Sequence, residues 1–290
     1  MATVTSVPPA LEVLIPTFGR PEALAVTLAG LANQTERAFD LVIADQTPPP
    51  APASVDAPVV AAMLRELRRQ GHVVRTHRRG RRRGMAEQRQ FLLDRSTAPS
   101  VLFLDDDVFL QAPTMARMRS ALASLGCGFV GVAPQGLSYL DDERPAEQRP
   151  FEPVAGDVVG PERVRKGQPA WDRWRLHNAA NLAHLARRIP LPARGWLAYR
   201  VTWVAGCVLF DRAALVAAGG FGFWHRLPAS HRGEEIVAQL RVMERCGGVG
   251  LLPPGAVHLE LPTAVTDRDA DAYAAIIEAD DRAADGSRVP

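Results

Sequence analysis

Short apolar runs alternate along this chain with stretches in which apolar residues recur at helical spacing. Leu11 to Ile15 reads as a strand stopped by Pro16. Pro21 and Glu22 suit the first turn of a helix, where proline forfeits no hydrogen bond, and Leu24, Leu28 and Leu31 then form one apolar face. Asp40 to Ala44 is a second strand, ending at Asp45. Strand, helix and strand are complete in about 35 residues, the size of a βαβ unit. A Pro/Ala-rich loop over 48–58 leads to a helix with Val60, Met63, Leu64 and Leu67 on one side and Gly71 as its stop. His72 to Arg75 is a third strand, and Met85 to Asp94 a helix.

Val101-Leu102-Phe103-Leu104 reads as a strand buried on both faces, and it runs directly into Asp105-Asp106-Asp107. Bare carboxylates inside such a core are too costly, so the acids belong at the strand's exit. If the extended conformation continues, Asp105 and Asp107 project to one side and suit a hard divalent cation. Asp106 then points the other way and is expected to tolerate change. The plainer reading is an acidic turn that stops a strand.

In the second half, 113–125 reads as a helix and 128–133 as a strand. The polar stretch 139–175 is long for a connection inside a compact domain. Trp171, Trp174 and Trp196 lie in or near it, either to stack on a ligand or to plug the insert onto the sheet. His177 and His184 read as surface or packing histidines. Val201 to Phe210 is a buried strand, and Asp211 caps the helix that follows. Gly233-Glu234-Glu235 opens another helix, whose Ile236, Val237, Leu240 and Met243 face inward. Val249 to Leu252 is the last core strand, with His258 shortly after it. Residues 263–290 form an acidic tail in which Tyr273, Ile276 and Ile277 could dock a short helix.

Strands alternating with helices imply an α/β fold with a Rossmann-like, mostly parallel sheet covered on both faces. Ligands bind outside the carboxyl ends of such strands, where Pro16 to Arg20, Asp45 and Asp105 to Asp107 collect. The 290 residues, 47% hydrophobic, can bury one large core. Lys166 is the only lysine among 34 basic residues, so arginine use reflects a compositional bias as much as local need. The three cysteines fit neither a zinc pattern nor a disulfide framework and read as reduced thiols of a cytoplasmic protein. No basic-then-apolar leader opens the chain, and no apolar run is long enough to span a bilayer.

The most basic stretch holds Arg75, Arg78, Arg79, Arg81, Arg82, Arg83 and Arg89. It suits a solvated loop, a clamp for a diphosphate, or attachment to nucleic acid or an anionic membrane surface. It has no interleaved aromatic residues, so nucleic acid is not an expected partner. The loops of the usual dinucleotide and P-loop motifs are missing after the first strand.

With these motifs in order, the chain resembles glycosyltransferase family 2, nucleotide-sugar transferases of the GT-A fold. Val13-Leu14-Ile15-Pro16-Thr17-Phe18-Gly19-Arg20-Pro21 is similar to that family's opening strand and nucleoside-side turn. Val42-Ile43-Ala44-Asp45-Gln46 stands where the family commonly has two Asp, one of them contacting the base. Gly84 to Gln90 resembles the helix that carries an Arg-Asn pair, here Arg89-Gln90. Asp105-Asp106-Asp107 matches the Asp-x-Asp motif that holds Mg2+ or Mn2+ on the donor diphosphate. Gly219-Gly220-Phe221 followed by Gly233-Glu234-Glu235 is like the family's Gly-Gly-Phe turn and Gly-Glu-Asp helix start. Glu235 replaces the Asp that is the usual catalytic base.

The resemblance implies a metal-dependent, inverting glycosyltransferase acting on a nucleoside-diphosphate sugar and an acceptor hydroxyl. Its catalytic residues would be Glu235 or Glu234. Its donor-binding residues would be Pro16, Thr17, Phe18, Arg20, Asp45, Arg89, Asp105 and Asp106. Its metal ligands would be Asp105, Asp107 and His258. It also implies a single GT-A domain over 1–262, with a nucleotide-sugar half (11–133) and an acceptor half (134–262) bearing the insert. Localisation is expected to be cytoplasmic, with peripheral membrane contact through Arg78–Arg83 as an option. A nucleotidyltransferase on a similar sheet would use the same paired acids, but its Gly-rich, Lys-bearing loop is missing. A non-catalytic binder of anionic surfaces is the third reading.

Overall fold

A computed structural model describes residues 9–81, 83–262 and 267–286. In the first half the elements run β1 (Leu11–Thr17), α1 (Pro21–Ala32), β2 (Phe39–Asp45), α2 (Pro58–Arg69), β3 (Val74–Arg78), α3 (Met85–Asp94), β4 (Ser100–Leu104), β5 (Val108–Leu110) and α4 (Thr114–Leu125). There follow β6 (Phe129–Gly131), β7 (Gln135–Gly136), α5 (Pro145–Gln148), α6 (Asn181–Arg188), β8 (Leu197–Arg200), β9 (Cys207–Asp211) and α7 (Arg212–Ala217). The chain closes with β10 (His231–Arg232), α8 (Glu234–Cys246), β11 (Gly248–Leu252), β12 (Ala256–His258), β13 (Ala270–Asp271) and α9 (Ala279–Gly286).

The main sheet has eight strands in the order β3-β2-β1-β4-β9-β6-β11-β8. Pairing is parallel from β3 through β4, whereas β9 runs against both β4 and β6. β11 is parallel to β6, and β8 closes the far edge antiparallel to β11. The expected mostly parallel α/β sheet is therefore present. A smaller sheet, β5-β12-β7, brings His258 beside Val108, just after the acidic triplet.

Alternation along the central strands sends successive residues to opposite faces. Leu14, Val42 and Phe103 join the core that includes α3, α7 and α8, through residues such as Leu92, Leu215 and Val237. Val13, Ile15, Ile43, Leu102 and Leu104 join the opposite core, with Leu28 of α1, Leu64 of α2 and Met118 of α4. Burial on both faces explains why these strands read as continuous apolar runs.

Two strand boundaries are corrected, and several open readings are decided. The third strand begins at Val74, two residues later than predicted, because Val73 is exposed and its N–H bonds Asp40. The predicted strand over 201–210 is strand only from Cys207. Residues 201–206 are irregular instead, held by Gln239 of α8, whose side chain accepts from Val204 N (2.8 Å) and donates to Val204 O (2.7 Å). Trp196 is a core residue, 1% exposed, and cannot stack on a ligand. Trp171 and Trp174 instead pack around Trp203. His177 is half-buried against the Tyr199 hydroxyl, and its desolvation pushes its pKa down to about 4. His184 is also a packing residue, 2% exposed. Asp211 does cap α7, accepting from Ala214 N at 2.7 Å.

The acidic C-terminal segment packs against the rest of the chain. Tyr273, Ile276 and Ile277 enter the core that holds α8. Asp281 pairs with Arg163 and Arg165, and Asp280 with Arg226 and Arg241. The insert is tied to β8 in the same manner, with Arg200 pairing with Glu152 (3.0 Å) and Glu162 (3.1 Å), and Arg173 links the same two glutamates within the insert.

Gln239 is fully buried and satisfies both polar groups of Val204. Gln239→Leu leaves that N–H and C=O without partners, at a cost of about 2–4 kcal/mol. Urea denaturation should show this loss; an unchanged midpoint would mean that the 201–206 loop holds its shape without Gln239.

Candidate active site

The carboxyl ends of β1, β2 and β4 meet the first turns of α3 and α8 around a cleft of about 350 Å³. Pro16, Thr17, Phe18, Arg20, Arg89, Asp105, Asp106, Asp107, Glu234, Glu235 and His258 all line it. Residues separated by more than two hundred positions are thus brought together. Asp45 alone among the expected site residues does not line the cleft. Its Oδ1 accepts from Thr47 N (2.9 Å) and Thr47 Oγ1 (2.6 Å), and its Oδ2 from Val55 N (3.0 Å). Both oxygens are spent on ordering the loop after β2, and the neighbour that faces the cleft is Gln46.

The acidic triplet does not continue as a strand. β4 ends at Leu104, and Asp106 and Asp107 form a turn. Each acid consequently has its own partner. Asp105 bonds Arg89 Nη2 at 2.9 Å. Asp106 accepts from Thr17 Oγ1 at 2.6 Å and is paired with Arg20. Asp107 bonds Arg20 Nη1 at 2.7 Å and lies 3.7 Å from His258 Nε2. The expectation that Asp106 tolerates change is overturned, because it is 2% exposed and ties β1 and the Arg20 loop to β4. Burial pushes its pKa up to about 7, against the pull of Arg20 and Thr17.

Arg89 is the centre of the other half of the site. It is 3% exposed and reaches Asp105, Glu234 (3.2 Å) and Glu235 (3.4 Å). Burial works against its charge, but these three carboxylates outweigh it and hold the guanidinium above its usual value. Glu234 is nearly buried, whereas the Glu235 side chain is 22% exposed towards the cleft. Burial raises the Glu235 pKa to about 8; Arg89 opposes the rise, while Asp105 and Glu234 add to it. Both glutamates sit in the first turn of α8, where unpaired backbone N–H groups favour negative charge.

Two glycines are needed for this geometry. Gly206 has φ +70°, and its carbonyl accepts from Asp105 N at 2.9 Å, which seats the start of the triplet. Gly84, at φ +94°, precedes α3 where a Cβ would overlap the His231 ring. His231 Nε2 accepts from Ala86 N (3.0 Å), and its Nδ1 donates to Pro228 O (2.7 Å), so this imidazole caps the helix that carries Arg89. His231 and Gln88 both line the cleft and were not expected from the sequence. Gln88 Nε2 bonds Ala44 O (2.6 Å) and Thr17 O (3.3 Å), stapling the ends of β1 and β2. Neither belongs to a recognisable pattern, because each acts on backbone groups far away in sequence.

The donor set is compatible with a divalent cation that shares its coordination with a ligand. Two ligands of one Mg2+ or Mn2+, each at about 2.1 Å, are at most about 4.2 Å apart. The 3.7 Å between Asp107 Oδ2 and His258 Nε2 falls within that span. Among the described residues, no three His, Cys, Asp or Glu side chains form a ready ligand group, so phosphate oxygens or water would have to complete the shell.

The basic stretch is partly paired with acids, and of its described arginines Arg89 alone is buried. Arg75 is paired with Glu12, Arg78 with Asp56, and Arg79 with Glu87 at 2.6 Å. Arg81 and Arg83 are exposed, and Arg82 lies outside the described residues. Of the described residues, no helix is long and apolar enough to cross a membrane.

The model of glycosyl transferase family 2 matches residues 12–193. The chain belongs to that family. Glu234, Glu235 and His258 lie beyond the matched residues, so their place in the cleft is known from the fold. Among solved structures, the chain is similar to the mannosyltransferase PcManGT from Pyrobaculum calidifontis, in complex with GDP-Man and Mn2+. Identity is 15% and the TM-score 0.53, over 90% of this chain and 59% of that one. It is also similar to S. aureus TarS 1–349 in complex with UDP-GlcNAc, at 12% identity and a TM-score of 0.52, over 88% of this chain and 60% of that one. These likenesses are of fold, a GT-A-type α/β sheet, and the chain spans less than two thirds of either neighbour's length. No curated protein sequence matches the chain.

Two measurements test the electrostatics. Arg89→Met leaves Asp105, Glu234 and Glu235 without their shared cation, and the expected loss is about 3–5 kcal/mol. Stability within about 1 kcal/mol of wild type would contradict the clamp. Glu235 holds its proton more tightly in the folded state (about 8) than at its ordinary value of 4.5. Between those values the folded state carries the extra proton, so the stability of the wild type falls as pH rises. Glu235→Gln should therefore gain on wild type across that window and level off above it, by on the order of 2 kcal/mol after allowing for its partial exposure. Urea melts on either side of the window check this; a difference that does not change with pH would refute it.

Proposed function

We propose that this protein is a glycosyltransferase that moves a sugar from a nucleoside-diphosphate sugar to an acceptor hydroxyl, with inversion at the anomeric carbon. The observation that carries the reading is the convergence in one cleft of the β1 turn, the acidic triplet and the α8 glutamates, in a family 2 chain. The nucleoside side would lie against Pro16, Thr17 and Phe18, with Gln46 a better placed base contact than Asp45.

Glu235 is the preferred base. It opens to the cleft, whereas Glu234 is buried against Arg89. Its carboxylate would accept the acceptor's hydroxyl proton as the acceptor oxygen bonds the anomeric carbon. The bond from that carbon to the diphosphate oxygen breaks, and the nucleoside diphosphate leaves with the electron pair. Arg89 holds Glu235 and Asp105 in place and keeps the Glu235 charge from being prohibitive. Asp107 and His258, with Asp105 as a further candidate, would hold Mn2+ or Mg2+. Such a cation, when bound, supplies positive charge to the departing diphosphate. Arg20, now on Asp106 and Asp107, is positioned to keep this acidic turn from repelling an anionic donor.

The same reading has a single catalytic domain, with a donor half (11–133) and an acceptor half (134–262) onto whose core the C-terminal segment packs, and a cytoplasmic setting. Asp107→Ala and Glu235→Gln should each lower turnover by about a hundredfold or more with a working donor and acceptor. Before those substrates are known, a thermal-shift panel of nucleoside diphosphates with and without Mn2+ should raise the melting temperature for at least one nucleotide. Near wild-type turnover in both variants would remove the assignment.

A further inference from the structure

The cleft has an unusual charge balance for a site that is to receive a diphosphate. Its walls carry Asp105, Asp106, Asp107, Glu234 and Glu235, and both arginines from the family motifs are already committed to them. Arg89 is buried and bound to three carboxylates, so it cannot turn to a ligand without leaving them unpaired. Arg20 bridges Asp106 and Asp107. His231 is occupied at both ring nitrogens.

Among the described residues, one further arginine lines the cleft, and it comes from the C-terminal segment. Arg268 is exposed and makes no ion pair among the described residues. This contrasts with other basic groups around that segment. Arg163, Arg165, Lys166, Arg226 and Arg241 each pair with an acid between Asp271 and Asp281. Arg268 is also held near the site by backbone. β13, two residues later, pairs in parallel with β10, so Ala270 lies beside His231 and Asp271 beside Arg232. Ala270 N bonds Ser230 O at 3.1 Å, and Asp271 accepts from Tyr273 N at 2.9 Å. The segment is thereby pinned next to the first turn of α8 while its preceding arginine remains uncommitted.

We propose that Arg268 binds the diphosphate of the donor, and that the C-terminal segment is docked so as to present it. This rests on the reading above that the cleft takes a nucleoside diphosphate sugar. A guanidinium matches phosphate oxygens in a bidentate manner, and a free one at the cleft rim gains a charge-assisted bond without breaking an existing pair. The acidic C-terminal segment is then part of the donor site: its acids secure it to the basic insert and α8, and Arg268, unpaired among the described residues, meets the substrate.

The test compares Arg268→Ala, Arg268→Lys and the control Arg232→Ala, which removes an exposed charge from β10 outside the cleft lining. UDP, GDP, ADP, CDP and dTDP, with their monophosphates and nucleosides, are titrated into each protein by calorimetry in the presence of Mn2+. For the nucleotide that binds wild type, Arg268→Ala should weaken the diphosphate about tenfold and leave the nucleoside unchanged. Arg268→Lys should lose less, and Arg232→Ala nothing. Melting temperatures should match wild type, because the Arg268 side chain is exposed. Equal diphosphate affinity in wild type and Arg268→Ala overturns the inference and leaves the glycosyltransferase reading standing. Binding of no diphosphate by wild type overturns both. An equal loss for nucleoside and diphosphate also overturns it, since the residue would then shape the cleft and not read phosphate.

Discussion

The site depends on one buried cation. Arg89 enters from α3 and is enclosed by Asp105 at the end of β4 and by Glu234 and Glu235 at the start of α8. A guanidinium so deeply withdrawn from water is tolerable only among carboxylates, and carboxylates so close together are tolerable only around a cation. The group therefore stands or falls as a unit. It also joins the two halves of the chain, because β4 belongs to the parallel first half and α8 to the second. The side chains that would do the chemistry are the same ones that hold the halves in register.

The acidic triplet shows how such a constraint divides labour. The backbone turns after Leu104, so three adjacent acids diverge. Asp105 goes to the Arg89 group, Asp106 to Thr17 and Arg20, and Asp107 to Arg20 and the neighbourhood of His258. Asp106, which has the least obvious chemistry, is the most enclosed of them and bonds β1 to β4. A run of identical residues thus supplies one acid to the Arg89 cluster, one to the frame and one to the neighbourhood of His258.

Charge pairing also explains how the chain handles its many arginines. Arg75, Arg78 and Arg79 are drawn to Glu12, Asp56 and Glu87, which lowers the charge a loop of this composition would otherwise present. The acids of the C-terminal segment do the same for Arg163, Arg165, Arg226 and Arg241. Individual surface pairs contribute little, but a network spread along a segment already anchored by Tyr273, Ile276 and Ile277 fixes its position.

The sequence by itself determined the central strands, their order of appearance, the helices between them and the positions at which chemistry would gather. Those features are local: an apolar run buried on both faces, a helical spacing of leucines, acids where a buried strand must end. It also carried the family, through motifs in order. What it did not contain was direction and pairing. The reversal of β9, the irregular course of 201–206 under Gln239, the divergence of the triplet, the turning of Asp45 onto its own loop and the capping of α3 by His231 all arise from partners distant along the chain. Only the folded backbone brings Arg89 within reach of Glu235 and sets Arg268 at the cleft, because charges find their partners through space and a sequence orders them only along a line.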